Sequence, residues 1–78
     1  MGKIRPDRDI GSNIQKARKS KGFTQDETIA KLQLMGVDMS RSTYAKIETN
    51  RLNIRVSALI ALSSMFGVDF NYFFKGLQ

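Results

Sequence analysis

The sequence predicts an all-α fold, a compact bundle of five short helices. Apolar residues recur at three- and four-residue spacing through most of the chain, the period of one helix face. No segment alternates β-branched with polar residues as a half-buried strand does. Ser, Thr or Asp opens most of the periodic stretches and Gly or Asn closes them, which is the punctuation of helix ends.

Each element follows from its own residues. Asp9 is the expected cap of a first helix in which Ile10, Ile14 and Ala17 share a face, and Gly22 stops it after the basic run Arg18-Lys19-Ser20-Lys21. Thr24-Gln25-Asp26-Glu27 has the form of a capping box, so a second helix starts at Gln25 and runs through Ile29 and Leu32 toward Met35, until Gly36 breaks it. Ser40 caps a third helix whose Tyr44 and Ile47 lie on one face. Arg41, Ser42, Ala45, Lys46 and Thr49 lie on the other, which is small, polar and basic. Asn50 is the left-handed residue that ends it. A fourth helix begins at Asn53 or a neighbour, with Val56, Leu59, Ile60, Leu62 and Phe66 mostly buried, and Gly67 stops it. Asp69 then caps a short fifth helix, Phe70 to Phe74.

Residues 1–8, with Lys3, Arg5 and Arg8 around Pro6, read as a flexible basic arm ahead of a single domain at 9–78; a plain solvated terminus fits the same composition. The 78 residues leave room for one core. With neither Cys nor His, the chain has no disulfide, no thiolate or imidazole metal site and no imidazole base, so neither a cofactor nor an enzyme is expected. No signal core and no membrane-length apolar run is visible, and the expectation is a soluble, cytoplasmic protein without a membrane partner. Thirteen Lys and Arg against seven Asp and Glu, net +6, favour a polyanionic partner. Several of the acids stand where helix N-termini want them, which leaves that positive field largely uncompensated.

Three segments carry a resemblance to a known family. They are Arg18-Lys19-Ser20-Lys21-Gly22-Phe23-Thr24-Gln25-Asp26-Glu27, the stretch from Ser40 through Ile47-Glu48 to Asn50, and Ser57–Leu62 with Phe66-Gly67-Val68-Asp69-Phe70. Together they resemble the Cro/C1-type (XRE) helix-turn-helix family over about residues 10–74. The resemblance implies a lambda-repressor-like DNA-binding domain, its helix-turn-helix formed by helices 2 and 3, and the major groove of double-stranded DNA as partner. The second helix of the motif then presents Arg41, Ser42, Thr43 and Lys46 to base edges. Arg suits guanine O6 and N7, and Ser suits either base class. The resemblance further implies phosphate contacts from Gln25, Arg51 and Asn53, although Gln25 also fits a plain first-turn residue and Arg51 a loop charge. It implies a structural ion pair between Arg18 and Glu48.

The chain departs from the family pattern in three places. Between Gln25 and Glu48 it is several residues longer than the common motif, around Gln33–Met39. Thr28-Ile29 replaces the usual Leu-Ala, where a small residue lets helices cross closely. Asn50 replaces a frequent Gly.

The expected function is a sequence-specific transcriptional regulator, a repressor that binds a palindromic operator as a homodimer. One recognition helix reads only a few base pairs, and the aromatic end of the chain supplies spare apolar area for pairing. Tyr72, Phe74 and Leu77 are the interface candidates, whereas Phe70 and Phe73 serve equally well to close the monomer core. The alternative is a protein-interaction module or antitoxin-like adaptor on the same fold. Exposed aromatics on the third helix would favour a protein partner, and its small hydrogen-bonding face favours DNA.

Overall fold

The computed structural model describes residues 6–76, with side chains from Ile10 onward. Its elements are α1 (Pro6–Ser20), α2 (Gln25–Leu34), α3 (Arg41–Glu48), α4 (Val56–Phe66) and α5 (Phe70–Phe73), with no strand among the described residues. This is the expected five-helix, lambda-repressor-like bundle, and α2 and α3 form its helix-turn-helix.

Local chemistry sets most boundaries. Thr24 Oγ1 accepts the Glu27 N–H at 3.0 Å while Glu27 Oε1 accepts the Thr24 N–H at 2.8 Å, so the capping box is complete. Ser40 caps α3 through the Thr43 N–H, and Asp69 caps α5 through the Tyr72 N–H. At the other end of α1, the Phe23 N–H reaches the Arg18 carbonyl at 3.1 Å and the Gly22 N–H reaches Lys19 at 2.9 Å, with Gly22 at φ 78. That Schellman pattern needs a left-handed residue, which glycine supplies without a Cβ clash. The same pattern closes α3, where Arg51 bonds Lys46 and Asn50 bonds Ile47, with Asn50 at φ 63.

The core draws on every helix: Ile14 and Ala17 from α1, Leu32 from α2, Tyr44 and Ile47 from α3, Leu59, Leu62 and Phe66 from α4, and Phe73 from α5. α1 lies against α3, α4 and α5, and α2 lies against α3 and α4. Asn13 fastens α5 and the turn after it to α1, its Nδ2 donating to the Phe73 and Lys75 carbonyls at 2.9 Å each. Truncating a fully buried aliphatic such as Leu32 to Ala in so small a core costs about 2–5 kcal/mol.

Several expectations need correction. α1 begins at Pro6, so Asp9 lies inside the helix instead of capping it, and Pro6–Arg8 of the expected arm are helical. Proline suits the first helical turn, where its missing N–H has no intrahelical partner to lose. Residues 1–5 of the arm lie outside the described residues. α4 starts at Val56 after Arg55, with no side-chain cap, so Asn53 does not open it. Val56 and Ile60, expected inside, are 66% and 56% exposed. Ser57 and Ser64 are exposed on the face that also carries Ile60, and Val56 stands one turn before Ile60, so these two apolar residues lie on the side the serines mark as outward. The fifth helix ends at Phe73 rather than Phe74.

Candidate nucleic-acid interface

α3 is held from one side and open on the other. Tyr44, Ile47 and Glu48 are buried, and Arg41, Ser42 and Lys46 are exposed. On the inner side α1 crosses very close. A Cβ on Gly11 would run into the carbonyl oxygens of Ile47 and Glu48, the latter 2.7 Å away. The Gly11 N–H also donates to Asn50 Oδ1 at 2.9 Å. Asn50 therefore does more than tolerate the left-handed turn that a glycine would fill, since its side chain ties the end of α3 to α1.

Two turns further along α1, Arg18 Nε and Nη2 donate to Glu48 Oε2 and Oε1 at 2.7 and 3.1 Å, a two-pronged pair whose side chains are 9% and 0% exposed. Arg18 Nη1 donates to the Phe23 carbonyl at 2.7 Å, so the guanidinium also clasps the α1–α2 turn. Burial pushes the Glu48 carboxyl up, but hydrogen bonds from Arg18 and Gln25 and the Arg18 charge outweigh it and hold the group below the ordinary carboxylate value. Its hydrogen bond to Glu48 raises Arg18 in turn. The Tyr44 hydroxyl lies beside this pair and is raised by burial and by the Glu48 charge, yet it has no hydrogen-bond partner of ordinary geometry.

A second network reaches the outer surface through Gln25. Its Nε2 donates to Glu48 Oε1 at 3.0 Å, and its Oε1 accepts from Arg41 Nε at 3.0 Å. Arg41 Nη1 donates to Asp26 Oδ1 at 2.8 Å. Gln25, expected at a phosphate, thus has both ends of its carboxamide engaged within the protein. Ser42 and Lys46 are exposed on the face that Arg41 begins. Thr43 is half-buried, its hydroxyl accepting from Ser40 Oγ at 3.0 Å. Past the end of α3, Arg51 Nε donates to the Thr49 hydroxyl at 3.3 Å, which lays this cation beside the last turn of the helix, and Asn53 is exposed nearby in sequence.

The structure brings Arg41, Ser42 and Lys46 onto one open helix and joins Arg18 to Glu48. The expected interface residues lie elsewhere. Phe73 is fully buried and closes the core, whereas Phe70 and Phe74 are 38% and 37% exposed, with ring centroids 6.3 Å apart. Tyr72 is half-buried with the Lys75 ammonium over its ring, and Leu77 lies outside the described residues. Met35 and Ile60 line a groove between the α2–α3 link and α4, and Leu34 on α2 and Val56 on α4 are exposed large apolar residues. Sequence reasoning missed Gly11, Asp26 and the second role of Asn50. Their partners are distant in the chain or set by packing, and no local signal marks them.

Among the described residues no group of acidic side chains is arranged to hold a metal, and no helix is long and apolar enough to cross a membrane. The sequence profile of the helix-turn-helix family designated HTH_3 matches residues 14–73. The chain belongs to the HTH_3 helix-turn-helix family. Among solved structures, an HTH_3 family transcriptional regulator from Vibrio cholerae superposes with a TM-score of 0.68 at 28% identity over 88% of this chain. This chain spans only 36% of that protein's length. The restriction-modification controller protein C.AhdI from Aeromonas hydrophila superposes with a TM-score of 0.69 at 21% identity, covering 86% of this chain and 90% of its own. At that identity the likeness speaks for the fold. No curated protein sequence matches the chain. The HTH_3 profile covers α2 through α5 and the second half of α1.

Proposed function

We propose that this HTH_3 chain is a sequence-specific, double-stranded-DNA-binding transcriptional regulator that acts in the cytoplasm as a homodimer on a two-fold operator and represses by occupying a promoter. The observation that carries the reading is the division of α3. Its inner side is locked to α1 and the core, and its outer side offers Arg41, Ser42 and Lys46 at groove-sized, hydrogen-bonding positions. The positive balance of the chain supplies the phosphate attraction such a helix needs. Thr43 and Asn53 flank this surface, and Arg51 extends it as a phosphate contact at the end of α3. Gln25 acts here by holding Arg41. Pairing through Tyr72, Phe74 and Leu77 is the proposed route to the dimer, because a two-fold operator calls for two recognition helices.

Selection from a random duplex library tests the reading. A palindromic site enriched by the wild-type protein, relaxed at one base pair per half-site by Arg41→Ala, is the expected result; salt-sensitive binding without sequence preference would refute it. The second reading is a protein-interaction module, favoured by the exposed Leu34, Met35, Val56 and Ile60. It predicts no sequence enrichment at all.

A further inference from the structure

We infer that Asp26 is a specificity-determining residue: it holds Arg41 in the pose that reads a base and keeps that guanidinium from binding phosphate indiscriminately. The inference rests on the DNA-reading role of α3 and goes beyond it by assigning an acidic residue, on the neighbouring helix, a part in recognition.

Arg41 stands at the first position of α3 with a side chain 59% exposed. A free arginine there would sample many rotamers and would meet the densely charged DNA backbone before any base edge. Two contacts fix it instead. Its Nε is bound by Gln25 Oε1, and its Nη1 by Asp26 Oδ1. The Gln25 oxygen is available because Glu48, an acceptor only, takes the Gln25 NH2 group, and Glu48 is clamped by Arg18. A continuous chain of charge-assisted bonds therefore runs from the buried seam to the helix that faces outward, and Asp26 is its last link.

The clamp leaves donors free. Of the five guanidinium N–H groups, the two contacts use one on Nε and one on Nη1. Both on Nη2 and the second on Nη1 remain for a bidentate approach to guanine O6 and N7. Asp26 is 74% exposed and bears its charge in the first turn of α2, on the side that Arg41 reaches. A carboxylate there repels nearby phosphate, so it lowers affinity for every duplex. It aims the arginine at a base in exchange. Helix stabilisation alone would also favour an acid in a first turn, but that role predicts no effect on sequence preference.

The two effects have opposite signs, which makes them separable. The test measures binding of wild type, Asp26→Asn, Arg41→Ala and the double variant, at one salt concentration, to two probes: the duplex that wild type enriches from a random library, and a scrambled version of it. Asp26→Asn is expected to bind the scrambled duplex more tightly while its preference for the selected duplex falls by about two- to fivefold, the range for an exposed ion pair. In the Arg41→Ala background the same substitution is expected to leave the preference unchanged. If Asp26→Asn keeps the wild-type preference, or lowers it equally without Arg41, the inference is overturned while the DNA-reading role stands. If wild type itself shows no preference, that role fails and takes this inference with it.

Discussion

The two sides of α3 use the same kinds of group to opposite ends. On the inner side an Arg–Glu pair is sealed between helices, its carboxylate fully covered, and backbone approaches backbone at Gly11. On the outer side an Arg–Asp pair of similar length stands in solvent. A buried pair cannot lose one partner without stranding a charge, whereas an exposed pair is worth at most about 1 kcal/mol. Position is thus fixed by the inner face, and the outer face is left free to vary its chemistry without unfolding the domain.

The largest loss is expected at Glu48. Glu48→Ala is expected to cost about 3–5 kcal/mol in denaturant unfolding, because Arg18 is left buried and unpaired. Acid acts on the same group. The folded-state pKa of Glu48 lies below the ordinary value of 4.5, so its contribution is present above that value and lost as pH falls through the folded one. Thermal melts of wild type are expected to drop on acidification, and Glu48→Gln to flatten that part of the profile. Gly11→Ala comes next, at about 1–3 kcal/mol, since the new methyl meets backbone carbonyls that cannot rotate aside; an unchanged melting temperature would show that the seam is looser than described. On the outer face, Arg41→Ala is expected to leave stability within about 0.5 kcal/mol. The smallest effect belongs to Arg51→Ala, which weakens binding to all duplexes alike and reduces the slope of log affinity against log salt by about 0.9.

What the sequence discloses follows the same division between local and distant. The caps at Thr24, Ser40 and Asp69 and the left-handed stops at Gly22 and Asn50 are legible because a side chain or a missing Cβ acts within a few residues of itself. The sharing of α3 into a core face and an open face is legible from Tyr44 and Ile47 against Ser42 and Lys46. The exposure of Val56 and Ile60 is only faintly legible, because short serines at Ser57, Ser63 and Ser64 are a weak mark of the outer face beside so many apolar residues. Gly11 looks like any helical glycine until α3 is laid across it. Asp26 looks like a first-turn acid, which it is, and only the approach of Arg41 from another helix gives it a second partner. The longer link around Gln33–Met39 is visible as extra sequence, but its turn at Gly36 and the groove it makes with α4 depend on packing.

In the proposed reading, the inner side of α3 carries stability and its outer side carries DNA recognition. The most direct test takes Arg41→Ala through two assays on the same sample, thermal unfolding and titration with the selected and scrambled duplexes at fixed salt. A wild-type melting temperature is expected, together with a loss of preference at one base pair per half-site worth about 1–3 kcal/mol. A variant that melts early, or one that melts normally and still discriminates as wild type does, would contradict it.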